Sequence, residues 1–162
     1  MLKGEMDMVI ALIGESCTGK TTIAQKINEK IPVKIITGKD YLRMAKNETV
    51  AEEKFKEFLA SKKDSEDIII YVISEKEFIK FLPSKTIKIL CKASLSIIKK
   101  RFSERMHGNL PEPVVSMLEK RHGQFMDDSY ELIVDTSEGD TDVICEEIYC
   151  KLKNNEYMAD VL

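Results

Sequence analysis

The segment Gly14-Glu-Ser-Cys-Thr-Gly-Lys-Thr21 limits the possible folds of this chain more than any other feature, because of what flanks it. Before it, Val9–Ile13 is apolar at every position, which is typical of a strand buried on both faces of a parallel sheet. After it, Lys20–Lys30 places apolar residues at helical spacing, and Pro32 ends the predicted helix. A glycine-rich turn from a buried strand into such a helix predicts a loop that wraps around an anion. An ordinary strand-to-helix turn without a ligand is the alternative.

The chemistry of this segment suits the phosphates of a nucleotide such as ATP. Its glycines let the backbone approach phosphate closely, and successive N–H groups at a helix N-terminus form an anion-binding nest. The Lys20 side chain is long enough to reach the β- and γ-phosphates, and the Thr21 hydroxyl is the predicted protein ligand of Mg²⁺. The predicted nucleotide-binding residues are Gly14, Glu15, Ser16, Cys17, Thr18, Gly19, Lys20, Thr21 and Thr22.

Strands and helices alternate along the rest of the chain. Further strands are predicted at Val33–Thr37, Ile68–Ile73, Thr86–Cys91 and Ile133–Val134, and helices at Tyr41–Lys46, Thr49–Lys62, Ser74–Phe81, from Ser94 to about Arg105, Pro113–Gln124 and Thr141–Lys153. Capping boxes at Thr49-x-x-Glu52 and Ser74-x-x-Glu77 predict two of the helix starts. The alternation predicts a single α/β domain over residues 1–162, with a parallel sheet and helices on both faces. Ligands of such sheets bind beyond the carboxyl ends of the strands.

An acidic residue that would complete a metal site is missing from its usual place. Motor and transport ATPases normally carry an Asp at the end of a buried strand, but the third strand here ends Val72-Ile73-Ser74-Glu75. Asp40, just past the second strand, is the predicted replacement, with a catalytic role in orienting the acceptor hydroxyl or a Mg²⁺-bound water. The alternative is that Asp40 caps the helix that starts at Tyr41. The sequence leaves both roles open.

Arg101 and Arg105 lie four residues apart on one predicted helix, so their guanidinium groups point to the same side. They precede Met106-His-Gly-Asn-Leu-Pro111, where glycine and proline interrupt the helical pattern. Arginine binds phosphate oxygens in a forked geometry and stays charged. The pair therefore predicts a catalytic cationic lid, at about 101–113, over the transferring phosphates. A solvated basic face beside Lys99 and Lys100 is the alternative.

These features resemble the small P-loop kinases of nucleoside monophosphates and metabolites, such as adenylate, cytidylate, shikimate and gluconate kinases. The resemblance rests on Gly14–Thr21, on Arg101 and Arg105 with the segment after them, and on Val134-Asp-Thr-Ser137. It implies a three-layer fold with a five-stranded parallel sheet in the order 2-3-1-4-5. It also implies an acceptor-binding segment at about 39–63, adenine contacts from 135–139, and ATP- and Mg²⁺-dependent phosphoryl transfer by Lys20 and the two arginines.

The acceptor is the least defined part of the prediction. The chain lacks the Asp-Gly-Phe-Pro-Arg string that follows the third strand in adenylate kinases, and the Gly-Gly-Gly string of shikimate kinases. Asp40, Tyr41 and Arg43 are the predicted substrate-binding residues, offering one carboxylate, one ring and one cation. We expect a small-molecule acceptor, with a nucleoside monophosphate or nucleoside first and a metabolite such as shikimate or gluconate as the alternative. A non-catalytic nucleotide-binding module is the competing hypothesis of another class.

Composition argues against other classes of partner. The chain has 25 basic and 28 acidic residues, a net charge of −3, so neither a nucleic-acid nor a membrane surface is predicted. Its apolar runs are too short to span a bilayer. Its four cysteines form no C-x-x-C pair, which argues against a zinc site. We expect a cytoplasmic protein that is a monomer or a weak homodimer.

Overall fold

The computed structural model describes residues 8–60 and 68–153. Within them the strands are β1 (Val9–Ile13), β2 (Val33–Thr37), β3 (Ile68–Ile73), β4 (Ile87–Lys92) and β5 (Leu132–Asp135). The α-helices are α1 (Lys20–Lys30), α2 (Glu48–Ala60), α3 (Leu95–Arg105), α4 (Glu112–Arg121) and α5 (Thr141–Lys153). Two 3₁₀ helices, Gly38–Met44 after β2 and Lys76–Phe81 after β3, complete the chain order. No helix among the described residues is long and apolar enough to cross a membrane.

The five strands form one parallel sheet in the order β2-β3-β1-β4-β5. The central strand β1 pairs with β3 and β4, and Ile13 at its end lies opposite Ile73 and Leu90. The strands therefore end together, and the loops that follow them open at one edge of the sheet. The predicted α/β class and the strand order implied by the resemblance are both confirmed.

Alternate strand residues point to opposite faces and build two cores. On one face, Ile10 and Leu12 pack with residues of α1 and α5. On the other, Val9 and Ala11 pack with α2 and both 3₁₀ helices. The second core is rich in aromatic rings. Its rings include Tyr41, Phe55, Tyr71, Phe78 and Phe81. Helices thus cover both faces of the sheet, as predicted.

Local hydrogen bonds correct two predicted helix starts. Helix α2 begins at Glu48 rather than Thr49, because the side chain of Asn47 accepts a hydrogen bond from the Val50 N–H at 3.2 Å. Ser74 caps nothing, since the following 3₁₀ helix begins at Lys76 without a side-chain cap. Ser94 does cap α3 and accepts from the Ile97 N–H at 3.4 Å. The predicted end of α2, at Lys62, lies outside the described residues.

Candidate functional site

The loop between β1 and α1 fits closely against the end of β4. A Cβ atom on Gly14 would lie 2.2 Å from the Cys91 carbonyl oxygen, so no side chain fits there. Gly19 has φ +85°, a conformation that glycine adopts without strain. Cys17 has φ 66° although it is not glycine, and it turns the loop in its middle. The segment has the tight, glycine-dependent path that a phosphate-binding loop requires.

Lys20 lies buried at the base of this loop, with 4% of its surface exposed. Its Nζ donates hydrogen bonds to the Glu15 carbonyl at 2.6 Å and to Thr18 Oγ1 at 3.4 Å. None of the described carboxylates forms an ion pair with it. Burial lowers the pKa of Lys20 to about 8, and the nearby Arg105 acts in the same direction. A buried ammonium without a counter-ion favours the binding of an anion at this point.

The lowered pKa of Lys20 predicts a pH-dependent affinity for ATP. Phosphates beside the ammonium raise its pKa in the complex, so the complex holds more protons than the free protein. We expect affinity to fall as pH rises through about 8, with proton uptake on binding at about pH 8.5. Calorimetry in two buffers of different ionisation enthalpy measures this uptake. At about pH 7 the free ammonium is already protonated, so the same titrations serve as the control. Equal affinity and no uptake at both pH values would contradict the prediction.

Three connected depressions lie along the edge where the strands end. The smallest, of about 90 Å³, is the phosphate depression, lined by the loop together with Thr21, Ser74 and Arg105. A cleft of about 490 Å³, the nucleoside cleft, adjoins one side and shares Arg105 with it. A pocket of about 370 Å³, the acceptor pocket, adjoins the other side and shares Thr21 and Ser74. The phosphate depression thus lies between the other two and shares lining residues with each of them.

The nucleoside cleft is formed by α3, the start of α5 and the loop after β5. The Asp135 Oδ1 accepts from the Ser137 N–H at 2.9 Å, which holds the pKa of this carboxyl below its ordinary value. The Ser137 hydroxyl accepts from the Ser94 N–H at 2.7 Å. Thr136 and Gly139 of the same loop line the cleft. The structure thus places the loop assigned to adenine by resemblance beside a cleft large enough for a nucleoside.

The two lid arginines occupy different positions. Arg105 is exposed at the end of α3 and lines both the phosphate depression and the nucleoside cleft. Arg101, half-buried, lines only the nucleoside cleft among the three depressions, and its guanidinium donates to the Cys17 carbonyl at 3.0 Å. It also donates to Thr136, to Oγ1 at 3.0 Å and to the carbonyl at 2.6 Å. The structure therefore brings Arg105, but not Arg101, to the place predicted for the pair.

The residues predicted to bind the acceptor lie elsewhere. The Tyr41 ring is 4% exposed and packs 4.9 Å from Phe81, centroid to centroid, so it has no free face for a substrate. Asp40 Oδ2 accepts from the Thr37 N–H at 2.9 Å and from its hydroxyl at 3.2 Å. This is the capping alternative, with Thr37 rather than Asp40 as the N-cap residue. Arg43 is exposed and does not line the acceptor pocket.

Other residues line the acceptor pocket, among them Lys39 of the predicted acceptor segment and the predicted Mg²⁺ ligand Thr21. Its lining comprises Thr21, Thr37, Gly38, Lys39, Val72, Ser74, Glu75 and Phe78. Glu75, two residues past β3, brings a half-buried carboxylate to the pocket that Thr21 shares. The Glu75 carboxylate accepts a hydrogen bond from the protonated Glu77 carboxyl, which raises the pKa of Glu77. The sequence carries this signal as a Glu two residues past the third strand, where an Asp at the strand end is the usual pattern.

Glu15 has its backbone and its side chain in different roles. Its carbonyl accepts from Lys20, whereas its carboxylate contacts the segment that follows α4. One carboxylate oxygen lies 3.0 Å from His122 Nδ1, and the other accepts from the Gly123 N–H at 3.3 Å. The Glu15 side chain therefore anchors the end of α4 to the loop.

Known structures with this fold include small kinases. A gluconokinase from Sinorhizobium meliloti superimposes with a TM-score of 0.61 at 15% identity, over 90% of this chain and 91% of that one. A shikimate kinase from Acinetobacter baumannii, solved with shikimate, gives 0.61 at 14%, over 93% and 95%. The YorR protein of Bacillus subtilis, solved with phosphorylated GDP, gives 0.58 at 20%, over 88% and 94%. No protein-family model and no curated protein matches the chain in sequence. At these identities the comparisons show the fold, which is that of the small P-loop kinases.

Proposed function

We propose that this protein transfers the γ-phosphoryl group of ATP to a hydroxyl group of a small metabolite. The observation that supports this most is the continuity of the three depressions. Arg105 joins the nucleoside cleft to the phosphate depression, and Thr21 joins that depression to the acceptor pocket. A nucleotide-binding module without catalysis has no need of a third pocket beside the phosphate depression.

The proposed reaction gives separate roles to Lys20, Arg105, Glu75 and Thr21. The charges of Lys20 and Arg105 stabilise the negative charge that spreads over the transferring group, which is most of what phosphoryl transfer asks of a protein. Glu75 accepts a hydrogen bond from the acceptor hydroxyl and orients it toward the phosphorus. Thr21 would hold Mg²⁺, which neutralises phosphate oxygens when bound. Mg²⁺ bound in this way would keep several waters and phosphate oxygens as its other ligands.

The charges of the acceptor pocket favour a hydroxylated metabolite over a nucleoside monophosphate. Among its lining residues Lys39 is the one cation and Glu75 the one anion, and Glu77 adds a second carboxyl beside Glu75. A phosphate monoester is a dianion. In this pocket it would be repelled by the carboxyls of Glu75 and Glu77, and Lys39 is the one cation among the lining residues to balance its charge. The apolar Phe78 wall and the polar groups opposite suit a ring or chain bearing hydroxyls. The named gluconate and shikimate kinases of the same fold also support this choice.

A screen of acceptors tests the proposal. ADP release from ATP and Mg²⁺ is measured with gluconate, shikimate, neutral sugars, nucleosides and nucleoside monophosphates. We expect turnover with a hydroxylated metabolite, and the monophosphates remain the second candidate. ATP should also raise the melting temperature, since a ligand that binds only the folded state stabilises it. An unchanged melting temperature at millimolar ATP and Mg²⁺ would reject the nucleotide site. A raised one without turnover on any acceptor would favour the non-catalytic module.

Glu75 and Asp40 are distinguished by a pair of amide substitutions. We expect Glu75→Gln to lower kcat/KM for the acceptor by about 100-fold, because the amide is a weaker acceptor of the hydroxyl proton. ATP affinity, measured by calorimetry, should change by less than about threefold. Asp40→Asn keeps an oxygen that can accept from the Thr37 N–H, so it should cost less than about 1 kcal/mol of stability and have a smaller kinetic effect. If Asp40→Asn lowered kcat/KM for the acceptor and Glu75→Gln did not, Asp40 rather than Glu75 would orient the acceptor hydroxyl.

A further inference from the structure

Arg101 contacts the phosphate-binding loop at a backbone carbonyl oxygen, and it also contacts the loop that follows β5. Its guanidinium donates to the carbonyl of Cys17, and to both the hydroxyl and the carbonyl of Thr136. The Thr136 hydroxyl in turn donates to the Thr18 carbonyl at 2.9 Å. Two successive loop carbonyls, those of Cys17 and Thr18, are therefore held on the side of Arg101 and Thr136.

Holding these carbonyls also fixes the direction of the loop amides. In a planar trans peptide the N–H group points away from the carbonyl oxygen of the same unit. The N–H groups of Thr18 and Gly19 are therefore turned away from Arg101, to the opposite side of the loop. A phosphate-binding nest needs its successive N–H groups to point to one common side. The left-handed conformation of Cys17, φ 66°, is part of this arrangement, and it is one that a cysteine rarely adopts unaided.

The platform that supports Arg101 is rigid. Thr136 is 7% exposed, and its N–H donates to the Lys92 carbonyl at 2.8 Å, which extends the pairing of β5 with β4. Arg101 itself projects from α3, whose buried Ile98 packs with Cys17. Both Arg101 and Thr136 line the nucleoside cleft. A nucleoside in that cleft therefore meets the same two groups that hold the loop amides in place.

We infer that Arg101 is a positioning residue: it acts through Cys17 and Thr136 to hold the loop in its phosphate-binding form, and couples that form to occupancy of the nucleoside cleft. This rests on the proposed function, since it concerns the nucleotide site. It differs from the predicted lid role, in which Arg101 touches the transferring phosphate. A positioning residue contributes equally to ground state and transition state, so its loss raises KM and leaves kcat nearly unchanged.

The test uses inorganic tripolyphosphate as a probe of the loop without a nucleoside. We expect Arg101→Lys to weaken its binding about tenfold, because an ammonium cannot serve three acceptors in a forked geometry. Thr136→Val should do the same by removing the bridging hydroxyl, whereas Thr136→Ser, which keeps it, should stay within about twofold of the wild type. In the wild type, adenosine should enhance tripolyphosphate binding, and Arg101→Lys should lose this enhancement. Lys100→Arg, an exposed exchange between the same two side-chain types on α3, is the control for a change on this helix.

The outcomes separate this inference from the proposed function. Equal tripolyphosphate affinity in the wild type, Arg101→Lys and Thr136→Val would overturn the positioning role and leave the nucleotide site intact. A large fall in kcat of Arg101→Lys at unchanged KM for ATP would also overturn it, because Arg101 would then touch the transferring group. A wild type that binds no tripolyphosphate would overturn the site itself and this inference with it. If Arg101→Lys does not fold, the Thr136 pair decides alone.

Discussion

Replacing Lys20 with alanine is expected to abolish phosphoryl transfer. The ammonium is buried at the base of the loop, where its charge acts on the phosphates in a poorly solvated environment. Removing one well-placed group of this kind costs about 10²–10³ in rate in other enzymes. We expect at least that loss in kcat/KM, and a fall of at least about tenfold in ATP affinity, measured by steady-state kinetics and calorimetry.

A second lysine of α1 provides the matched control. Lys26 lies half-buried on the same helix, pairs with Asp142 of α5 and lines none of the three depressions. Lys26→Ala should keep its kinetics and lose only a surface ion pair, which contributes little to stability. If both alanine variants turned over at similar rates, the loop would not be the phosphate site.

Removing the Arg105 side chain is expected to act on the rate rather than on binding. Its guanidinium is exposed and lines the phosphate depression, where the proposed reaction places the terminal phosphate. A charge that engages as the phosphoryl group transfers stabilises the transition state more than bound ATP. Arginines with this role are worth about 10³–10⁵ in rate elsewhere. We expect Arg105→Ala to lower kcat by at least about 100-fold, while ATP affinity changes by less than about tenfold.

Two further variants test the interpretation of Arg105. Arg105→Lys should recover only part of the rate, because an ammonium cannot make the forked contact. Arg121→Ala removes an exposed arginine from α4 and should leave turnover unchanged. Near wild-type turnover of Arg105→Ala would mean that this residue belongs to a solvated basic face, which was the alternative from the sequence.

The sequence was most informative where burial alone decides structure. The bounds of β1, β2, β3, α1 and α5 agree with prediction. A run such as Val9–Ile13, apolar at every position, can be buried completely only in a strand that is covered on both faces. The two 3₁₀ helices and the ends of α4 were harder to predict from the sequence, because single hydrogen bonds and tertiary contacts determine them. For this reason Asn47 rather than Thr49 caps α2, which begins at Glu48.

The candidate site was predicted in its phosphate-binding part and less well in its acceptor part. The loop glycines and Lys20 follow from a local motif, whose geometry is set by neighbours in sequence. Tyr41 has an aromatic ring of the kind that stacks on ligands, but here the ring packs in the core against aromatic side chains of α2 and of the second 3₁₀ helix. Arg101 meets Thr136 across 35 positions of sequence, and no spacing rule anticipates that contact. Such partners are fixed by the packing of α3 against the loop after β5.

The inward-facing thiol of Cys17 makes loop opening observable by chemistry. The side chain is 4% exposed and packs with Ala93, Ile98 and Leu118, on α3's side of the loop. A thiol reagent reaches it only in molecules whose loop has parted from that cluster, so its labelling rate reports how often the loop opens. Cys150, exposed on α5, gives the rate of an unobstructed thiol on the same chain. The natural protein therefore carries both a sensor of local unfolding and its reference, without an introduced probe.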